Sequence, residues 1–502
     1  MNVYSEFFVN FMKPFFEGIV TIFKNLGLGL FQMFNILNYV DVIKKYSTDL
    51  SGGGILVIIL TILCLLVIYG LLIFLIVLIV RRFVKYHKNV VKQEAMVDEI
   101  DRLNVDVVRL KEENEKFLSM TDPDNGEVQY DEDGKIINKL QEGESRFFKL
   151  TRIDEAMVNY KPVEFNKTIT LEKFCEDFRN FSASKLGLYY DINLIRLFIA
   201  SFASNRLIIL QGISGTGKTS LAYAFGKMIN NEATIASVQP SWRDSSELFG
   251  YFNEFTKRFN ETEVLAKMYE ATYKEDVFVT VLDEMNISRV EYYFAEMLSI
   301  LELPSRDQWV ISLVPSAWDN DPKHIVDGQF KLPDNMWYIG TINNDDSTFM
   351  VTDKVYDRAM PIQIDDKCEP FEAPQTEAMN LSSKYLESLF KKSQEEHAVS
   401  QEILDKIAQM DRYVIDHFRM SFGNRIVKQL REFVPAYVGC GGKEIAGIDY
   451  IIAHKILRKF EQLNLSYIKN EIDGFIDYME DLFGKGNMPE CVTYLQRLKK
   501  TI

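Results

Sequence analysis

Chemistry concentrates first between Arg206 and Ile229, where RLIILQGISGTGKTSLAYAFGKMI carries an apolar run, Leu207 to Leu210, into Gly212, Ile213, Ser214, Gly215, Thr216, Gly217, Lys218, Thr219 and Ser220. This is GxxxxGK[ST] between a strand pattern and a helix pattern, the context in which that motif carries meaning. The glycines let backbone N–H groups approach a β-phosphate, and the helix that follows adds its dipole. Lys218 then reaches the β- and γ-phosphates, and Thr219 offers a hydroxyl to Mg²⁺. The expected ligands are Mg²⁺ and a nucleoside triphosphate, ATP or GTP, since no residue decides between the bases.

Such a loop needs an acid on a neighbouring strand, and one stands 65 residues beyond Lys218, in DVFVTVLDEMN. Val277 to Leu282 reads as a strand buried on both faces, the pattern of a central strand in a parallel sheet. Asp283 at its end would hold the Mg²⁺ shell, and Glu284 would orient or deprotonate the attacking water, because phosphoryl transfer is mainly positioning and charge neutralisation. A third strand, MWYIGTINNDD, ends in Asn343, a side chain of the kind that contacts a γ-phosphate or its water. Arg358 follows 15 residues later. It has two readings, a finger on a neighbouring subunit's phosphate or a surface salt bridge.

Taken in order, these elements resemble an AAA+ ATPase. The wording of VQPSWRDSSELFGYF, LDEMNISRVEYYFAEMLSILE and IGTINNDD resembles the dynein-related branch with the McrB-type restriction NTPases and, more distantly, the MoxR chaperones, over residues 190–500. The resemblance implies an α/β P-loop core, a parallel sheet with flanking helices over residues 166–370, and a helical lid with C-terminal helices over 371–502. It makes Lys218 and Thr219 the Walker A pair, Asp283 and Glu284 the Walker B pair, Asn343 with Asp346 the McrB-like Asn-x-x-Asp pattern, and Arg358 the arginine finger. SFGNRIVKQLREFVPAYV resembles a sensor 2 segment, which makes Arg425 the sensor acting in cis. A ring, usually hexameric, with each nucleotide between subunits is also implied. An inserted hairpin over 305–333, with Trp309 and Trp318, is either a partner surface or plain packing. Trp242, Arg243, Tyr251 and Phe252 either face a central pore or join the core.

The chain of 502 residues carries 57 basic and 72 acidic side chains, net −15, and none of that excess lies before residue 81. So acidic a body excludes broad nucleic-acid binding, which needs clustered Lys and Arg. Five scattered cysteines and five histidines without metal-ligand spacing exclude a disulfide framework and argue against a structural metal. Ser51 to Val80 holds no charge. As a helix, Ile55 to Val80 is about 39 Å long, enough to span a hydrocarbon core of about 30 Å. The collar Arg81, Arg82, Lys85, Lys88 and Lys92 places the body on the cytoplasmic side.

Residues 1–50 read as an amphipathic membrane-associated helix with a polar stripe through Glu6, Asn10, Lys13, Glu17 and Lys24, either lying on the bilayer or embedded in it. Residues 81–120 hold a heptad from Met96 to Phe117, a coiled-coil stalk or a helix with one packed face. In 121–165, Asp133-Gly134 marks a hairpin in a linker. The sequence therefore leads to a membrane-anchored AAA+ NTPase that remodels or activates a separately encoded partner, in prokaryotic defence if the McrB-like wording holds. A MoxR-like chaperone of a membrane complex and a nucleotide-gated channel or scaffold are the alternatives.

Overall fold

The computed structural model describes residues 143–343, 348–463 and 465–501, together with Leu140 and seven isolated positions before it. Those isolated positions aside, the apolar span, the amphipathic segment, the collar, the stalk and the Asp133-Gly134 hairpin lie outside the described residues, as does Asp346. Among the described residues, no helix is long and apolar enough to cross a membrane. The chain forms two compact units, residues 1–122 and 123–502. The sheets and helices that build the site belong to the second.

Its strands in chain order are β1 (Leu207–Gly212), β2 (Thr234–Ser237), the hairpin β3 (Gly250–Asn253) and β4 (Arg258–Glu261), β5 (Phe278–Asp283), the short β6 (Val310–Ser312), β7 (Ile325–Val326) and β8 (Gln329–Lys331), then β9 (Met336–Asn343) and β10 (Ala359–Gln363). Five of them form one parallel sheet in the order β10-β1-β9-β5-β2. Register aligns the strands so that Gly212 lies opposite Asn343 at one edge, and Leu207 opposite Ala359 at the other.

Side chains alternate across a strand, and here both faces are buried, so the strands read as unbroken apolar runs. Ile208, Leu210, Val279, Val281, Trp337, Ile339, Met360 and Ile362 enter one apolar cluster. Leu207, Ile209, Phe278, Leu282, Met336 and Tyr338 enter the other. Helices Leu171–Leu186, Ile192–Ser204 and Lys218–Met228 cover the first face. The helices after residue 382, Ser383–Glu396, Gln401–Phe418, Gly423–Gly439, Glu444–Ile451, Leu465–Phe483 and Pro489–Thr501, feed the same cluster through Phe390, Met410, Phe433, Ile451, Phe475 and Leu495. The parallel-sheet core and the helical region therefore share one hydrophobic core.

The second face is covered by the β3–β4 hairpin, helix Glu263–Ala271 and the segment 295–332. The expected 305–333 hairpin is a three-stranded antiparallel sheet, β6-β8-β7, whose tight turn passes through Asp327 (φ 52°) and Gly328 (φ 76°). Trp309 is buried and its indole N–H donates to Leu303 O at 3.2 Å, so it is packing. Trp318 stays exposed and stacks on the Arg146 guanidinium at 4.4 Å. Trp242 is core, whereas Tyr251 is exposed at 53%.

Candidate functional site at the C-terminal edge of the sheet

The loop from Gly212 to Gly217 joins β1 to helix Lys218–Met228 at the C-terminal edge of the parallel sheet, the edge at which open α/β sheets bind ligands. Gly212 is required there: its φ is +143°, and a Cβ would sit 2.2 Å from the carbonyl oxygen of Ile364. Gly217 ends the loop at φ +91° as the helix N-cap. Within the loop Thr216 Oγ1 donates to Ile213 O at 3.0 Å, and Ile213, Ser214 and Gly215 are exposed. Ser220 is half-buried in the helix's first turn. Lys218 is buried, and its ammonium donates to the carbonyls of Gly212 (3.1 Å) and Ile213 (2.7 Å), which curls the side chain back over the loop.

Asp283 closes β5 beside it. Its Oδ1 accepts from Thr219 Oγ1 at 2.6 Å and from Thr341 Oγ1 at 2.8 Å, so two hydroxyls from neighbouring elements converge on one carboxylate oxygen. The Thr341 hydroxyl in turn accepts from the Glu284 backbone N–H at 2.8 Å. Glu284 has φ 53° and ψ 45°, a left-handed conformation uncommon for a side chain of this type. Strained backbone of this kind persists where surrounding contacts over-determine it. Besides Thr341, Met285 supplies such a contact by lying flat on β9, where a Cβ on Gly340 would meet its sulfur at 1.9 Å. The turn therefore aims the exposed Glu284 carboxylate outward.

Asn343, at the end of β9, donates from Nδ2 to Glu284 Oε1 at 3.3 Å, so the carboxylate is held by the side chain expected to share its task. Buried Asn286 ties the pair together: its Nδ2 donates to Asn343 O at 3.1 Å, and its backbone carbonyl accepts from Phe349 N at 2.8 Å. Magnesium fits the donor set, because the Thr219 hydroxyl and Asp283 carboxylate supply the hard oxygen ligands it prefers; bound there, it would neutralise phosphate charge.

Beside the glycine loop a cavity of about 520 Å³ is lined by Tyr190, Asp191, Thr216, Asp365, Tyr450 and Arg497, among others. The Tyr190 ring lies 3.5 Å from the site of a Cβ on Gly217, its hydroxyl donates to Gly217 O at 3.3 Å, and burial pushes its phenol above the ordinary value. Asp191 caps helix Ile192–Ser204 through Asn193 N at 2.7 Å. Thr216 belongs to the loop motif, but sequence reasoning missed the other lining residues, as it missed Thr341 and Asn286. The first group comes from segments remote in the chain; the DEMN wording was the one signal that pointed to Asn286.

Arg358 and Arg425 lie elsewhere. Arg358 precedes β10, whose first residue pairs with the first residue of β1, so it occupies the N-terminal edge. Five strand steps of about 3.3 Å put that edge about 17 Å from Gly212. Its guanidinium pairs with Glu302 Oε2 at 3.0 Å, and Arg425 pairs with Oε1 of the same residue at 2.7 Å. Arg425, expected as a cis sensor, is held beside Arg358 by this shared carboxylate. The cation that does face the glycine-loop cavity from the helical region is Arg497, 3.6 Å from Asp365.

No protein-family model matches the chain, and no curated protein matches it. Among solved structures, one described as a "putative ATPase" from Cytophaga hutchinsonii is similar over 59% of this chain and 83% of its own, at 13% identity and a TM-score of 0.34.

Proposed function

We propose that this chain is an AAA+ NTPase that hydrolyses Mg-ATP, or Mg-GTP, within a ring of like subunits. One observation carries the reading: Lys218, Thr219, Asp283, Thr341, Glu284 and Asn343 meet at a single sheet edge, where hydrogen bonds tie Lys218 to the glycine loop, Thr219 and Thr341 to Asp283, and Asn343 to Glu284. The loop amides and Lys218 bind the phosphates. Thr219 and Asp283 hold the metal. Glu284, released from Asn343, takes a proton from the attacking water, and the amide of Asn343 orients that water or the γ-phosphate.

Arg358 and Arg425 are too far from this edge to act within their own subunit. Held on Glu302 at the opposite edge, they suit a neighbour's phosphate, which is what a ring would present. Membrane anchoring rests on the uncharged run from Ser51 to Val80. Remodelling or activation of a separately encoded protein partner, and a place in anti-phage defence, rest on the McrB-like wording alone. The test of the enzyme reading is NTP turnover by Lys218→Ala and Glu284→Gln. Loss of turnover is expected in both, with nucleotide still bound by the second; unchanged turnover in both would remove the reading.

A further inference from the structure

Three cations from one short segment converge on the turn that carries Arg358. Lys455 is 4% exposed, and its ammonium donates to the backbone carbonyls of Tyr356 (2.8 Å), Asp357 (3.3 Å) and Ala359 (2.6 Å). Arg458 pairs with Asp353 at 2.6 Å and stacks on the Tyr356 ring at 3.3 Å. Lys459 pairs with Asp357 at 2.8 Å. The helix carrying them leaves α geometry just there, passing from Glu444–Ile451 into a π segment, Ile452–Ile456, and a 3₁₀ segment, Leu457–Gln462. Wide turns of this kind occur mostly as single interruptions and frequently at functional sites.

An ammonium has three donors, and here three carbonyls that bracket a single residue accept from it. Burying such a charge is unfavourable unless it is fully hydrogen-bonded. A turn that needed only to be stable could be closed by neutral donors. What the charged clamp adds is a fixed position for the peptide that precedes Arg358 and for the carbonyl of the residue that follows it, while the guanidinium of Arg358 must reach a phosphate held by another subunit.

We propose that Lys455 is a positioning residue for hydrolysis: by gripping the carbonyls on both sides of Arg358 it fixes the direction in which that arginine points at a neighbour's nucleotide. The inference rests on the reading of Arg358 as a group that acts across the subunit interface.

The experiment uses the full chain in its native oligomer. Lys455→Met matches the stem in size and removes the donors; misplacing a catalytic group by about 1 Å is worth on the order of 10²-fold in rate. A drop in kcat of that order is expected, with the KM for Mg-ATP and the affinity for nucleotide within about twofold of wild type. Added to Arg358→Ala, the same substitution should lower the residual rate less than twofold, since the group it aims is gone. Mixing Lys455→Met subunits with Lys218→Ala subunits should restore turnover, because the first keep an intact phosphate site and the second a well-aimed Arg358.

Lys455→Gln retains two donors and is expected to lose less kcat, with the same dependence on Arg358; it also serves if Lys455→Met does not assemble. An equal loss in the Arg358→Ala background, or a mixture no more active than the sum of its parts, overturns the positioning role. If Arg358→Ala itself turns over normally, the reading of Arg358 falls and this inference falls with it. If Arg358→Ala is inactive while Lys455→Met and Lys455→Gln are not, only the role of Lys455 falls.

Discussion

The two edges of the parallel sheet are built from opposite materials. At the C-terminal edge, hydroxyls, amides and carboxylates are knitted together over one residue from each of several strand ends, with Asp283 accepting from Thr219 and Thr341 and Glu284 accepting from Asn343. At the N-terminal edge, guanidinium groups rest on acids: Arg358 and Arg425 on Glu302, Arg206 and Arg306 on Glu387. The first edge gathers the donors that a metal and phosphates would need, and the second gathers arginines. About 17 Å of strand separates them within one subunit, and the proposed ring would bring one edge of each subunit to the other edge of its neighbour.

Substitutions at the first edge should have the largest effects. Glu284→Gln removes the base while keeping the size of the side chain and the hydrogen bond from Asn343, so turnover should fall 10²- to 10⁴-fold, the usual span for a general base. Nucleotide affinity, read by equilibrium titration, should hold. Arg358→Ala should cost on the order of 10³-fold in turnover, the lower end for a trans-acting arginine, again with affinity retained. A defect seen in affinity alone would make the N-terminal edge a packing surface and dissolve the contrast.

Thr341→Val isolates the scaffold of the first edge. It strands the Glu284 N–H and removes one donor to Asp283, a loss of about 1–3 kcal/mol in hydrogen bonding. Turnover about tenfold lower in a variant that stays folded at the assay temperature, its melting temperature down by only a few degrees, would place the effect on the aim of Glu284. Glu302→Gln sharpens the second edge. If Glu302 only stores the two arginines, stability should change by no more than about 1 kcal/mol, since the pair is partly exposed, and turnover should not fall. A drop as deep as that of Arg358→Ala would mean that the carboxylate takes part.

The smallest effect concerns pH. Burial pulls the Lys455 ammonium down to about 7 from 10.5, with Asp357 opposing and Lys459, Arg425 and Arg458 adding to the fall. Between those values the unfolded chain binds more protons than the folded one, so stability rises with pH across that window, while the clamp on the Arg358 turn passes from three donors to two. The melting temperature of wild type relative to Lys455→Met should therefore climb between pH 7 and 9; a flat difference contradicts the assignment.

Sequence exposed the first edge and concealed the second for a physical reason. Phosphate chemistry there needs residues adjacent on a loop and at strand ends, so GISGTGKTS, VLDE and GTIN sit in the chain as compact words. Continuous apolar runs likewise betrayed β1, β5 and β9, each buried on both faces. The contacts of the second edge join Glu302, Arg358 and Arg425, which are brought near only by the packing of helix Gly423–Gly439 against the core, and Lys455 reads in sequence as one more helical lysine. Arg425 shows the same limit, because the resemblance of SFGNRIVKQLREFVPAYV to a sensor 2 segment does not say which end of the sheet its helix approaches.

The central claim, that a working site takes its phosphate machinery from one subunit and its arginine from another, is tested most directly by mixing. Glu284→Gln and Arg358→Ala subunits, each nearly inactive alone, should regain turnover when co-assembled, because Glu284→Gln subunits supply Arg358 to the intact sites of their Arg358→Ala neighbours. A mixture whose rate is merely the sum of the two, with co-assembly confirmed by differently tagged subunits, would contradict it.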